Sequence, residues 1–583
     1  MLLFTAAAPA QYAPAGNEHP ETPIVSGGEG EVAKPFGEPE KGPRPSREQK
    51  AAFAQQVDLS PLRATPVFHR GRVKVLDTLA RETVRALTSR RDYQDYLGVG
   101  GEESKIRVYG YDPLFTLFDT LIDTGYYIDK PLIAVDYLPL RRSLLEAQYG
   151  VGDPAVDPAL KVGRLSPIQF DTYGPRVAEE HMDEPQYRQG LGRADDAIRL
   201  FLGTNNNMLL VTPETRDAEW LHLATLPADH PARVAAAKMG ESWRAMDAAG
   251  VNAAAAELAS ALAAIHPGVV SADRANLELL YNRTKPFEYG YWAYFLAALL
   301  LLLSFGTGRK WLRVGGVALL FVAVGLHAAG FIARCIIAER FAIQNQFESM
   351  TGLSLFASVL GTGIMLAKRQ WLFGAASAMV GFVVLIAATQ LGIPGQNIER
   401  EAAILNTSVL LKYHVTTVLV SYGLIAMACV VSLFYLGVHY YAPGRVGAAA
   451  GRGSVAVSGS DSMVLAAGAL GDDAAPTGKG RLLSDLDRAQ MIVLQLAFWT
   501  LGVGILLGAW WADHSWGRFW AFDSKETWAL VTWIVYLIVI HMRFAQIKDR
   551  GLTTAWLSVV GFIVMLWTYF GVNLLLPGLH AYA

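Results

Sequence analysis

The chain has 583 residues, 52% hydrophobic and only 17% charged, where a soluble protein carries roughly a quarter charged residues. Its 11% aromatic share excludes a fully disordered chain, and a net charge of −2 gives no support for nucleic-acid binding. Residues 1–285 hold 31 Lys and Arg against 38 Asp and Glu, while residues 286–583 hold 19 against 14, which reads as a mainly α, polytopic helical membrane bundle behind a large polar N-terminal region.

Residues 1–55 read as a disordered or processed segment. The start MLLFTAAAPA is too short to cross a bilayer, which needs ~20 apolar residues, and residues 16–45 are rich in Pro, Gly and Glu. Exporting about 285 residues ahead of the first span normally needs a signal or an earlier helix, so an incomplete or processed N-terminus is expected. Residues 56–160 read as an external mixed domain, with PVFHRGRVKVLDTLARE at Pro66–Glu82 as its most distinctive text. Residues 161–285 turn helical, and the Ala-rich stretch Val234–Ile265 suits a helical hairpin. Cys335 and Cys429 fall in or beside apolar runs without any CxxC, as core residues do.

The membrane domain, 286–583, carries eight candidate spans, near 288–306, 313–333, 349–367, 371–391, 413–437, 490–511, 526–545 and 552–575. Alternate connections hold thirteen and six Lys and Arg, and the richer set belongs inside. Residues 1–285, the 511–525 loop and the C-terminus are then external.

That loop and its flanks, 510–528, hold Trp510, Trp511, Trp516, Trp520, Phe522, Asp523 and Trp528. Two readings apply. Tryptophans gather at every membrane interface as an aromatic belt, but a belt spreads over many helix ends. Crowded into one loop with a few polar groups, they suit a platform for a large planar ligand. Asp523 followed by Glu526 has the form of a capping box for the next helix.

His414 opens the fifth span and His580 follows the eighth, both on the face of the Trp loop. A lone interfacial histidine is usually a polar tip; two flanking an aromatic platform suit axial ligation of haem iron. His541 falls within the expected seventh span, thirteen residues beyond Trp528 and thus ~20 Å deeper. An ionisable residue there is either functional or hydrogen-bonded between helices. His327 is similar with weaker context, while His439 and His514 read as surface residues.

At these residues the sequence resembles a known family. WADHSWGRFWAFDSKETWALVTW is similar to the tryptophan-rich WWD signature of haem-handling proteins, and the histidine pattern resembles the CcsA/ResC-type (System II) cytochrome c biogenesis proteins. The segments YNRTKPFEYGYW and NQFESM (Asn345–Met350) share the resemblance, and Pro66–Glu82 resembles the external region of some long fused synthases. Phe522 and Ser524 stand where the family usually has Trp and Pro. The resemblance implies a bacterial inner-membrane protein that binds haem b on the Trp platform, with His414 and His580 as external axial ligands and His541 as one ligand of a haem within the membrane. It implies a cytochrome c haem lyase acting within a complex, with apocytochrome c (CxxCH), a CcsB/ResB-like membrane partner and a thiol-reducing protein as partners. His414 and His580 would be the catalytic pair, acting by positioning. The alternatives are a haem exporter or chaperone without ligation activity, a CcmF-type haem lyase, and a structural scaffold.

Overall fold

The computed structural model describes residues 34–38, 44–97, 107–216, 218–400, 408–441, 479–544 and 549–576. The chain divides into two compact units, Met1–Arg283 and Thr284–Ala583.

In the first unit a single apolar core runs from Phe36 to Leu262, across the boundary expected at residue 160. Trp243 is its centre, with Phe115 at 4.9 Å and Phe53 at 5.5 Å. Its indole N–H donates to Asp119, which also accepts from the fully buried Lys50. Burial works against the Lys50 charge, but Asp119 and Asp123 outweigh it and hold the ammonium above the usual lysine range. This explains why the expected segment 1–55 is too long. Arg47–Gln56 is a helix opened by a Ser46–Gln49 capping box, and it carries Lys50 and Phe53 into the core.

Three two-stranded antiparallel sheets supply the strand content of the described residues. The first is a hairpin of β1 (Pro66–His69) and β2 (Arg72–Val75), turned at Arg70 and Gly71, both with positive φ. Helices Pro231–Arg244 and Ala248–Ala263 form the expected hairpin. In the helix Ala272–Thr284 the buried residue is Glu278, which accepts from Arg72 and Thr78.

The second unit is a helical bundle: α1 (Pro286–Thr307), α2 (Lys310–Ala338), α3 (Gln346–Lys368), α4 (Trp371–Gln390), α5 (Val409–Tyr441), α6 (Lys479–Trp516), α7 (Ser524–His541) and α8 (Arg550–Leu566). Seven of these are long and apolar enough to cross a membrane. The chain is an integral membrane protein. The remaining helix, α7, has eighteen residues and opens on Lys525 and Glu526, which lowers its apolar character.

Two helix ends differ from expectation in ways that matter. Nothing in the sequence WWADHSW stops a helix, so α6 continues to Trp516 and ends at Gly517, where φ is +69°. The expected fifteen-residue loop shrinks to 517–523. At its other end α7 stops at His541, just before Arg543 pairs with Asp487 of α6 through two hydrogen bonds.

Candidate functional site

The site begins with the way α5 lies on α6. Gly504 and Gly508, one turn apart on α6, present bare backbone to α5. The His414 ring occupies that groove, its Nδ1 2.8 Å from the Gly504 carbonyl oxygen. A carbonyl only accepts, so Nδ1 holds the proton and the lone pair sits on Nε2. That is the tautomer in which imidazole binds iron, and the carbonyl is the kind of outer contact that orients metal-binding histidines.

His414 lines a cavity of about 280 Å³, close to the lower end of the ~300–1,000 Å³ of most ligand pockets. Trp511, near the end of α6, and Trp520, in the loop, line it as well. α7 contributes Lys525 and Glu526, and α3 contributes Gln346 and Ser349. Asp523 and Glu526 make the expected capping box: Asp523 accepts from the first-turn amides and Glu526 from the backbone of Asp523 and Ala521. The start of α7 is thereby fixed against the cavity.

The α3 wall is held by buried charge. Glu348 accepts from Arg334 at 3.0 Å and from Arg340 at 2.6 Å, with Arg334 and Glu348 both fully buried. Arg334 also donates to the carbonyls of Gly395, Gln396 and Asn397, joining α2, α3 and the loop after α4. Asn345 caps α3 by accepting from the Glu348 amide.

Opposite chemistry shapes α8. Its helix passes into one π-helical turn at Trp567–Gly571 before resuming at Val572, a device that recurs at functional sites. Thr568 and Tyr569 of that turn line the cavity, and the Tyr569 hydroxyl shares a hydrogen bond with Ser349.

The tryptophans expected as one platform divide. Trp511 and Trp520 face the cavity, and Trp516 packs edge-on against Trp511 at 4.8 Å and 70°. Trp510 is half exposed, Trp528 packs against Trp567, and Phe522 is exposed with φ +55°. Asp523 is a helix cap. His541 is exposed at the end of α7, its Nδ1 against the Leu537 carbonyl, so it is a surface residue of the bundle rather than a buried one. His580 lies outside the described residues. His327 is fully buried and satisfied by Thr351 and Tyr294. His514 is exposed, as expected, whereas His439 is half-buried and stacks on Tyr435.

Sequence reasoning missed Gln346, Ser349, Gly508, Tyr569 and the π turn. Of these only Gln346 and Ser349 had a signal, within the quoted NQFESM segment.

A fit to haem can be judged on this wall. Trp511 is 3% exposed and its indole N–H donates to no protein acceptor; both amide atoms of Gln346 are buried and unpaired. A cavity with apolar and aromatic faces, orphaned buried donors and one iron-competent imidazole fits a porphyrin. Among the described residues no cluster of three or more His, Cys, Asp or Glu could hold a bare metal ion. His414 is the one histidine that lines the cavity among the described residues.

Fold and site together define a polytopic helical membrane protein with a histidine-lined cavity inside the bundle. The cytochrome c assembly protein family matches residues 291–580, a range that covers the whole cavity, and the chain belongs to that family. It is 30% identical over 315 residues to the cytochrome c biogenesis protein CcsA of Parasynechococcus marenigrum, covering 52% of this chain and 98% of the relative. It is 28% identical over 322 residues to CcsA of Porphyra purpurea, covering 53% and 98%. It is also 29% identical over 322 residues to the protein NrfI of Wolinella succinogenes, covering 54% of this chain but only 32% of that longer protein.

Proposed function

We propose that this protein serves cytochrome c biogenesis by binding haem b in the cavity beside His414 and presenting it to the CxxCH segment of an apocytochrome c. The observation that carries the reading is the His414 imidazole, locked by Gly504 in the iron-binding tautomer, on a cavity wall shared with Trp511 and Trp520. In the attachment itself each thiol S–H adds across one vinyl group: a carbon–sulfur bond forms, the proton goes to the terminal vinyl carbon, and no oxidant is needed. The cysteines must be reduced beforehand, which is the place of a thiol-reducing partner. The cavity wall contributes positioning, through aromatic contact, imidazole ligation and exclusion of water.

His580 is the second axial ligand in this reading. His541 serves a different haem, shared with a CcsB/ResB-like membrane subunit. Its support is the open face of α7, where Ile534, Ile538 and His541 form one exposed stripe and only Thr532, Tyr536 and Val539 are buried. In this reading the membrane is the bacterial inner membrane, and the distribution of Lys and Arg favours an orientation with the N-terminal unit, the Trp loop and the C-terminus outside.

The test is the absorption spectrum of the purified protein, followed by reconstitution with haem and a reduced CxxCH apocytochrome. Low-spin bis-histidine bands and covalent product support the proposal. Bound haem without covalent product makes the protein a haem carrier or exporter, and a colourless protein that takes up no haem makes it a scaffold.

A further inference from the structure

Gln346 lines the cavity from the first turn of α3, and both of its side-chain amide atoms are buried with no hydrogen-bond partner among the described residues. Burying an amide unpaired destabilises a fold, so the stability of the bundle does not account for this residue type. The backbone around it, by contrast, is fixed. The Phe347 amide donates to the Pro394 carbonyl, the Gln346 carbonyl accepts from the Ser349 hydroxyl, and the Glu348 carboxylate is held by Arg334 and Arg340. The start of α3 thus presents one uncommitted amide from a rigid base. Having no hydrogen bond to lose, that amide turns towards a guest at little cost.

The chemistry of the amide indicates which guest. A primary amide offers N–H donors and a carbonyl acceptor together. Haem b has acceptors in its ionised propionates but no donor, so it would leave the Gln346 Oε1 unpaired. A peptide unit carries one N–H and one C=O and matches both halves. We infer that Gln346 pairs with the main chain of the apocytochrome, holding the CxxCH segment at the start of α3 while His414 holds the haem. The inference rests on the reading above and deepens it, by naming a residue that recognises the protein substrate. Recognition through the main chain suits a segment defined only by its cysteines and histidine, because it is indifferent to the two residues between the cysteines.

The experiment uses the purified full-length protein in detergent, loaded with haem b, and a fluorescent SxxSH peptide, which has the CxxCH backbone but cannot be attached. Binding is followed by anisotropy. Gln346→Met keeps the length of the side chain and loses both polar atoms; it binds the peptide about tenfold more weakly than the wild type, the scale of two neutral hydrogen bonds. Its haem affinity, read from the Soret band, falls far less. Its thermal midpoint equals or exceeds that of the wild type, because an unpaired buried amide has been replaced by an apolar group. Peptides in which single backbone N–H groups are replaced by ester oxygens locate the contact: one such ester weakens binding to the wild type and costs nothing further in Gln346→Met. Equal peptide affinity for the two proteins, equal loss of haem and peptide affinity in the variant, or ester penalties that are the same in both, overturns the peptide contact and leaves haem binding standing. Haem uptake without any peptide binding by the wild type overturns it as well and makes the protein a haem carrier. No Soret change with haem b overturns the haem reading and this inference with it.

Discussion

Gly508 leaves the space that the His414 imidazole fills: a Cβ on Gly508 would lie 2.5 Å from the ring Cε1 and 2.8 Å from Nδ1. Only a bare backbone at this position lets the ring lie flat on α6 and reach the Gly504 carbonyl. Gly508→Ala is therefore expected to displace the imidazole without removing it. The variant should insert and fold, yet retain haem poorly and show five-coordinate rather than six-coordinate bands. An unchanged spectrum would mean that the ring has another seat.

The histidines separate by position. His414→Ala should abolish six-coordinate haem in the cavity, whereas His541→Ala, on the outer face of α7, should leave the coordination of that haem intact and lower only the total haem per protein. Haem content and coordination state, measured on both variants, decide this. Wild-type haem content in the His541→Ala protein would return His541 to an ordinary surface residue.

Among the tryptophans the expected effects are graded. Trp520→Ala removes a cavity face and should weaken haem retention by about 0.5–1.5 kcal/mol beyond the loss of buried area. Trp311, 64% exposed at the start of α2, should be neutral when replaced by alanine. Equal losses at both positions would favour the belt reading of the Trp-rich segment.

His69 makes the first unit sensitive to acid. Burial, then the charges of Lys74, Arg70 and Arg72, push the imidazole down to about 3, and Lys74 donates to its Nδ1. The folded state thus keeps His69 neutral while the unfolded chain takes up a proton below about pH 6.5. Stability is unaffected above that value and falls as the pH drops from about 6.5 towards 3, by on the order of 1–2 kcal/mol at pH 5. Hydrogen-exchange protection of β1 and β2 in the full-length protein should decline over this window, and His69→Gln should flatten the decline.

The membrane unit was largely legible because a run of some twenty apolar residues has few alternatives. Helix ends were less so. The end of α6 depends on Gly517 rather than on where hydropathy falls, and the end of α7 precedes an ion pair between Arg543 and Asp487, some 56 residues apart. The capping box at Asp523 was readable, whereas the one at Ser46–Gln49 was missed because it follows the Pro- and Gly-rich stretch of the segment expected to be disordered. The cavity was not readable as a whole. Its walls come from α3, α5, α6, α7 and α8, and the π turn that aims Tyr569 has no sequence signature. His414 and the tryptophans stood out by residue type; Gln346 and Gly508 matter only through what they touch.

The π turn at Trp567–Gly571 has a further consequence for how α8 tolerates change. It accommodates one more residue than an α-helical turn, so it acts as a register offset of about 100° between the two parts of the helix. Thr554, Ser558 and Gly561 before it are buried along one stripe, while Thr568 and Tyr569 within it address the cavity. Forcing this turn into an unbroken α-helix with all its residues kept would swing the segment resuming at Val572 by that angle, whereas deleting one residue would leave that segment facing as it does and remove only the bulge. The π turn thus absorbs one residue of length without turning the segment that follows: a single deletion between Leu566 and Val572 would cost the placement of Thr568 and Tyr569 on the cavity rather than the direction of what comes after.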